Sequence, residues 1–316
     1  MGKNHMNYAA SSDADTNNTR HCTYVLITPA RDEAKFIEQT IRSVVRQTVL
    51  PLKWIIVNDG STDGTEEIIE NYLAEYPWIE LLRMPRRTER NFAGKVHAFN
   101  AGYARVKDLE YDMIGNLDAD ISFEEDYFEF LLAKFSGDHR LGVAGTPFGE
   151  AGTSYDYRFT SIEHVSGACQ LFRTNCFRSI GGYVPLEVGG IDLVAVTTAR
   201  MKGWKTQTFT EKLCQHHKKT QSGRHNSLKV TFNSGFHDYL MGTCALWQFF
   251  RSAYQMGKHP ILLSGSALLT GYLWAMIIRP ERPVSNEFTE FRAKEQMARL
   301  KDLLKNLLVH PKRLLL

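Results

Sequence analysis

The 316-residue chain lacks an excess of charge of one sign, a cysteine framework and an apolar leader, and each absence excludes something. Lys plus Arg number 38 against 35 for Asp plus Glu, so the net charge is +3 and no global basic field favours nucleic acid. The five cysteines, Cys22, Cys169, Cys176, Cys214 and Cys244, show neither CxxC nor His-interleaved zinc spacing, which predicts reduced, structural thiols. The first twenty residues are polar, so they predict a loose tail with no secretory signal, and a chain that faces the cytoplasm. Pro260–Ile278 is uncharged, bracketed by Lys258 and Arg279, and near the lower length limit for a spanning helix.

What the chain does have is apolar patterning. Hydrophobic residues make up 43%, enough for one large α/β domain with an appendage. Short apolar runs alternate with helix-period segments: Thr23–Thr28 precedes Glu33–Arg46, Trp54–Asp59 precedes Thr65–Tyr76, and Ile79–Arg83 precedes Gly94–Val106. Met113–Leu117 then precedes Tyr127–Phe135, with a further short strand at Leu141–Ala144. This alternation predicts a doubly wound, mostly parallel sheet, which binds ligands at the carboxyl ends of its strands. Polar clusters fall there: PARDEA (Pro29–Ala34), NDGSTDGT (Asn58–Thr65), Pro85–Lys95 and the aspartates after Leu117. Asp63 and Glu66 have capping-box spacing, whereas Asp59 stands at a strand end, where it can accept from a base imide or a sugar hydroxyl.

The fourth cluster reads NLDADISF, Asn116–Phe123. Asp118 and Asp120 repel each other unless something positive stands between them, although a solvated turn before a helix also favours acids. Alternate residues of an extended segment point to opposite sides. One carboxylate can therefore meet a ribose or sugar hydroxyl while the other holds Mg²⁺ or Mn²⁺, whose remaining positions take phosphate oxygens and water.

In that order at successive strand ends, PARDEA, NDGSTDGT, GKVHAFNAG (Gly94–Gly102) and NLDADISF resemble the family 2 glycosyltransferases with the GT-A nucleotide-sugar-binding fold. The resemblance continues through Ser166–Tyr183 and Gly189–Phe209, covering Tyr24 to Lys219. It implies an α/β GT-A fold and an inverting enzyme that uses Mn²⁺ or Mg²⁺. The donor would be a nucleotide diphosphate sugar and the acceptor lipid-linked or a glycan, in polysaccharide or glycoconjugate synthesis. Residue by residue it implies nucleoside-side contacts at Glu33 and Asp59, with Pro29 and Arg31 also on the donor. Lys95 then lies near the donor, Asp118 at the ribose, Asp120 at the metal, and Asp192 is the catalytic base. The base segment reads GGID where the family usually has Glu-Asp, so Ile191 removes a polar neighbour. His216 and His217 resemble the histidine that completes the metal shell in some members, with room for one to face the ion. The chemistry asks for such groups independently: a leaving diphosphate must be neutralised, and one carboxylate deprotonating the acceptor during direct displacement gives inversion.

Between Leu193 and His237, Glu211 is outnumbered by Arg200, Lys202, Lys205, Lys212, Lys218, Lys219, Arg224 and Lys229, a local cation excess suited to a diphosphate or a membrane surface. QSGRH (Gln221–His225) carries His225 in place of the tryptophan that processive members have after Gln-x-x-Arg, which predicts single sugar addition. The expected division is a tail at 1–22, a catalytic domain at 23–230 and a helical region at 231–316. That helical region is expected to meet a membrane surface through Pro260–Ile278 and a tail helix with Leu300, Leu303, Leu304, Leu307 and Leu308 on one face, or else to pack on the domain itself. Two rivals are a nucleotidyltransferase, whose Gly-rich basic signature is missing near the first strand, and a silent membrane scaffold, which Asp120 and Asp192 oppose.

Overall fold

A computed structural model describes residues 22–86, 92–149, 161–218, 228–257 and 260–309. The first half runs β1 (Tyr24–Ala30), α1 (Ile37–Val45), β2 (Lys53–Asn58), α2 (Thr65–Leu73), β3 (Ile79–Arg83), α3 (Ala93–Val106), β4 (Met113–Leu117), β5 (Ile121–Ser122), α4 (Tyr127–Gly137), β6 (Leu141–Gly145) and β7 (Phe148–Gly149). Then come β8 (Cys169–Arg173), α5 (Thr174–Ser179), α6 (Ile191–Met201), β9 (Lys205–Thr208) and β10 (Cys214–His216), followed by α7 (Leu228–Leu240), α8 (Ala245–Met256), α9 (Leu263–Ile278) and α10 (Asn286–Val309).

The main sheet has seven strands in the order β3-β2-β1-β4-β8-β6-β9, and β5, β10 and β7 form a small second sheet. β1 pairs in parallel with β2 and β4, β2 with β3, and β6 with β9, whereas β8 runs antiparallel between β4 and β6. The inner strands β1, β2, β4 and β6 are buried on both faces, which is why they read as largely apolar runs, whereas β3 and β9 at the sheet edges are partly exposed. Alternate residues supply two separate cores. Tyr24, Leu26, Trp54, Ile56 and Met113 pack in one, and Val25, Ile27, Ile55, Val57 and Ile114 in the other.

The capping box expected from Asp63 and Glu66 does not form. Gly64 occupies the cap position at φ 89°, Asp63 accepts from the Thr65 and Ala34 N–H groups at 3.2 and 3.0 Å, and Glu66 turns to Arg83 at 2.5 Å. Asp63 thereby ties the loop after β2 to the loop after β1. The cation excess is also answered from distant elements: Arg200 pairs with Glu295, Lys205 with Asp138, Lys212 with Glu124 and Asp126, and Lys218 with Glu33. Lys219, Arg224 and the QSGRH segment lie outside the described residues.

In the C-terminal region, no helix among the described residues is long and apolar enough to cross a membrane. α9 has 16 residues and crosses its neighbours at glycines. A Cβ on Gly271 would meet the Phe232 carbonyl oxygen of α7 at 1.9 Å, one on Gly235 the Leu268 oxygen of α9 at 1.9 Å, and one on Gly265 the Ser252 oxygen of α8 at 2.3 Å. Backbone touches backbone there, and any side chain would force the helices apart. α10 lies against α6 and α8, with Phe288 and Leu300 buried, so the leucine face of the tail helix docks on the protein itself at Leu300 and is exposed at Leu304.

Candidate active site

The parallel register sets Ala30 of β1 beside Asn58 of β2, so the two following loops emerge together. Asp59 is buried there, its N–H donating to the Ala30 carbonyl at 2.9 Å and its carboxylate 3.8 Å from the Arg31 guanidinium. Asp32 takes a left-handed φ of 55°, a conformation aspartate tolerates better than most, and its carboxylate accepts from the Thr62 N–H at 2.9 Å. Gly60 is required because a Cβ would lie 2.6 Å from the Arg86 Cα. Glu33 accepts from Lys218 at 2.5 Å with one oxygen, while the other is buried without a hydrogen-bond partner among the described residues. Burial raises the Glu33 pKa, Lys218 opposes that shift, and the negative charges of Asp118 and Asp63 reinforce it. Pro29 sits near the carboxyl end of β1, opposite Val57, and is half-buried.

β4 ends at Leu117 and delivers the paired aspartates. The Asp118 N–H donates to the Ala168 carbonyl at 2.9 Å, and its carboxylate is paired with Lys95 of α3. Burial acts to lower the Lys95 pKa, but Asp118, Asp192 and Asp120 outweigh it and raise it, so the ammonium stays charged. β10 pairs antiparallel with β5 in a register that sets His216 opposite Ile121, next to Asp120. His216 Nε2 is 3.5 Å from the Asp120 carboxylate, and one ligand atom each from Asp118, Asp120 and His216 fall within 4.8 Å of one another. Burial first, then the charges of Asp118 and Glu33, push the Asp120 pKa up to about 6 against the opposing pull of His216 and Lys95. Two crowded carboxylates and an imidazole form a donor set that suits Mn²⁺ or Mg²⁺, with Mn²⁺ the better match for the nitrogen. His217 is not part of this group. Its ring shares a hydrogen bond with Ser122 Oγ at 2.8 Å and stacks on Phe36, because neighbouring residues of the extended segment face opposite ways. Asp118, expected at the ribose, belongs to the cation group as well.

Asp192 lies in the first turn of α6, behind Gly190, which takes φ 81° as the N-cap. The helix N-terminus stabilises its carboxylate, and the Gly167 N–H donates to Oδ2 at 3.3 Å. Gly167 also accepts from Asn116 Nδ2 of β4 at 2.8 Å through its carbonyl, so one loop holds both the strand that carries the aspartates and the expected base. His164 Nε2 stands 3.9 Å from the same Asp192 oxygen. Burial lowers the His164 pKa, Asp192 opposes this, and Arg200 and Arg292 add to the lowering, so the imidazole is neutral at pH 7.

A cavity of about 420 Å³ joins these groups, with Lys95, Asp118, His216, Asp192, His164 and Tyr183 in its wall. Pro29, Arg31, Glu33 and Asp59 are outside its lining. Sequence reasoning missed His164 and Gly167, which reach Asp192 only through the loop before β8; no spacing in the sequence marks them. The sequence points to the loop Gly149–Thr160 as a wall of the acceptor pocket; its residues 150–160 lie outside the described residues.

The comparisons with known proteins agree with this geometry. Over 118 residues the chain is 31% identical to the chondroitin synthase of Pasteurella multocida (strain Pm70), covering 37% of this chain and 11% of that protein. It is 30% identical over 136 residues to a poly-beta-1,6-N-acetyl-D-glucosamine synthase of Staphylococcus aureus (strain COL), covering 43% of this chain and 31% of that one. The chain thus spans between a tenth and a third of the length of these relatives. Among solved structures, mannosyltransferase PcManGT from Pyrobaculum calidifontis, in complex with GDP-Man and Mn²⁺, shares the fold at a TM-score of 0.55 and 18% identity, covering 92% of this chain and 88% of that one. S. aureus TarS 1-349 in complex with UDP-GlcNAc aligns at a TM-score of 0.52 and 13% identity, covering 90% and 81%. The family described as Glycosyl transferase family 2 matches residues 25–193, more than half of the chain. With the mostly parallel sheet, the aspartates at the end of β4 and that match, the chain belongs to glycosyl transferase family 2.

Proposed function

We propose that the protein transfers a sugar, with inversion, from a nucleotide diphosphate sugar to a glycan or lipid-linked acceptor in polysaccharide synthesis. One observation carries this: a single cavity has the cation group, through Asp118 and His216, and Asp192 in its wall. Asp192 takes the proton of the acceptor hydroxyl as the new bond to the anomeric carbon forms and the bond to the diphosphate breaks. The Gly167 N–H and the α6 N-terminus hold its carboxylate in place for that transfer. Lys95, kept charged, adds positive potential beside Asp118. Mn²⁺ or Mg²⁺ held by Asp118, Asp120 and His216 would supply Lewis-acid stabilisation of the leaving diphosphate. Relatives named as polysaccharide synthases, and fold neighbours bound to GDP-Man or UDP-GlcNAc, support the substrate class. Screening nucleotide sugars by thermal shift with Mn²⁺ and with chelator tests it. We expect a stabilising shift of several degrees for one donor, lost on chelation. Shifts with nucleoside triphosphates only, and product formed from a sugar phosphate, would make the protein a nucleotidyltransferase instead.

The same reading includes contact with a lipid surface at the cytoplasmic face, through apolar side chains and not through the paired cations. α9 buries Ser264, Leu268, Gly271, Tyr272 and Ala275 on one side and exposes Leu263, Trp274 and Ile277 on the other, with Leu246 and Phe249 of α8 also exposed. Co-flotation with phosphatidylcholine vesicles should therefore persist at high salt and fail after Trp274→Ser with Ile277→Ser. Absence of flotation at any salt concentration would remove the membrane from the proposal.

A further inference from the structure

A second cavity, of about 530 Å³, opens between α6, α8 and α10, with Arg200, Arg292, Arg299, Trp247 and His164 in its wall. His164 lines both this cavity and the first, with its Nε2 3.9 Å from the Asp192 carboxylate, so the two cavities adjoin beside the expected base. The aspartates of the cation group and Lys95 do not line it.

Its three guanidinium groups differ in how they are satisfied. Arg200 is held by Glu295 through two parallel hydrogen bonds, 2.6 and 2.9 Å, which neutralise both. Arg292 donates to the Met241 carbonyl at 2.7 Å, and Arg299 lies over the Trp247 ring, 5.9 Å from its centroid. Neither has a carboxylate in ion-pair reach among the described residues. Glu163 and Asp302 also line the cavity, but both are exposed, where water screens them. Burial lowers the pKa of Arg292 to about 10 against the opposing charges of Asp238 and Glu295, which leaves it charged at pH 7, and lowers that of Arg299 against the opposing charge of Glu163. A confined guanidinium answered by a carbonyl or a ring keeps donors available for an oxyanion, and its planar fork fits phosphate or carboxylate in two-point contact.

We propose that this cavity is the acceptor's site and that it takes an acceptor bearing an oxyanion, which pairs with Arg292 and Arg299 while a hydroxyl of the same acceptor passes His164 to reach Asp192. The assignment rests on the glycosyltransferase reading above.

The test is titration calorimetry on the full chain with the donor pocket filled by Mn²⁺ and UDP, or GDP where UDP gives no thermal shift. The probes are glucose 1-phosphate, glucuronate and glucose. At least one anionic sugar should bind about tenfold or more tightly than glucose, the size of one charge-assisted hydrogen bond. Arg292→Gln should erase that preference. Arg299→Gln, nearer the surface, should reduce it in a chain that folds even if the first variant does not. Preference for glucose 1-phosphate alone supports a phosphate-linked acceptor, and preference for glucuronate alone an acidic glycan. Equal binding of all three sugars, or an unchanged preference in a folded variant, overturns the proposal. Nucleotide binding without anion preference removes only the cavity assignment, whereas failure of both nucleotides to bind would remove the donor reading and this assignment with it.

Discussion

Replacing Asp120 with Asn should make the metal-free protein more stable and the enzyme inactive. The argument is one of linkage. The Asp120 carboxyl has a pKa of about 6 in the folded chain against an ordinary 3.8, chiefly because it is buried, then because Asp118 and Glu33 crowd it. A raised carboxyl pKa means the folded state binds the proton more tightly than the unfolded state does. Stability therefore falls as pH rises from about 4 through about 6, and the whole penalty is present at pH 7. Two pKa units correspond to about 3 kcal/mol, and relaxation around the site reduces this to on the order of 2 kcal/mol. Asn at this position carries no charge and removes that penalty, so the metal-free variant should melt a few degrees higher at pH 7 and show no such gain at pH 4. The same change removes a carboxylate from the cation group, so the Mn²⁺-dependent shift with nucleotide sugar should vanish and transfer should fall below detection. Melting curves at pH 4 and pH 7, with and without Mn²⁺, read all of this; an equal or lower melting temperature at pH 7 would show that the carboxylates are not in conflict.

Asp192→Asn should act on the other half of the reaction. The amide keeps the shape and can still meet the Gly167 N–H through its oxygen, but it cannot take a proton from the acceptor. Transfer should fall by at least about a hundredfold, with donor binding nearly intact, because Asp192 is absent from the cation group. The split between kcat and donor affinity is the decisive quantity. Equal losses in both would make Asp192 a donor ligand. His164, 3.9 Å from Asp192, gives a useful comparison: His164→Gln should lower kcat less than Asp192→Asn, as a neighbour of the base and not the base itself.

The elements that place this site were legible because they are local. Buried parallel strands must be largely apolar, so Met113–Leu117 was readable to the residue, as was the half-exposed edge strand Ile79–Arg83 from its alternation with helical segments, and the polar clusters behind them had to lie at one rim. β8 was not readable as an antiparallel strand between β4 and β6, because direction within a sheet is set by pairing and not by composition. Two adjacent histidines are equivalent in the sequence, and only the β10–β5 register turns His216 to Asp120 while His217 goes to Ser122 and Phe36. The basic stretch from Leu193 to His237 looked uncompensated because its partners are far away along the chain: Glu33 for Lys218, Glu124 and Asp126 for Lys212, Glu295 for Arg200. Glycines such as Gly265 and Gly271 suit lipid-facing and protein-packed helices alike, and the carbonyl oxygens of α8 and α7, which lie where their side chains would be, decide for protein packing. By itself the sequence determined the parallel half of the sheet, the rim and the types of residue on it, since periodicity and turn chemistry act over a few residues. Tertiary structure decided which histidine meets the aspartates, that His164 stands beside Asp192 and which cations have no carboxylate in reach among the described residues, because those depend on strand register and on charges brought together across the fold.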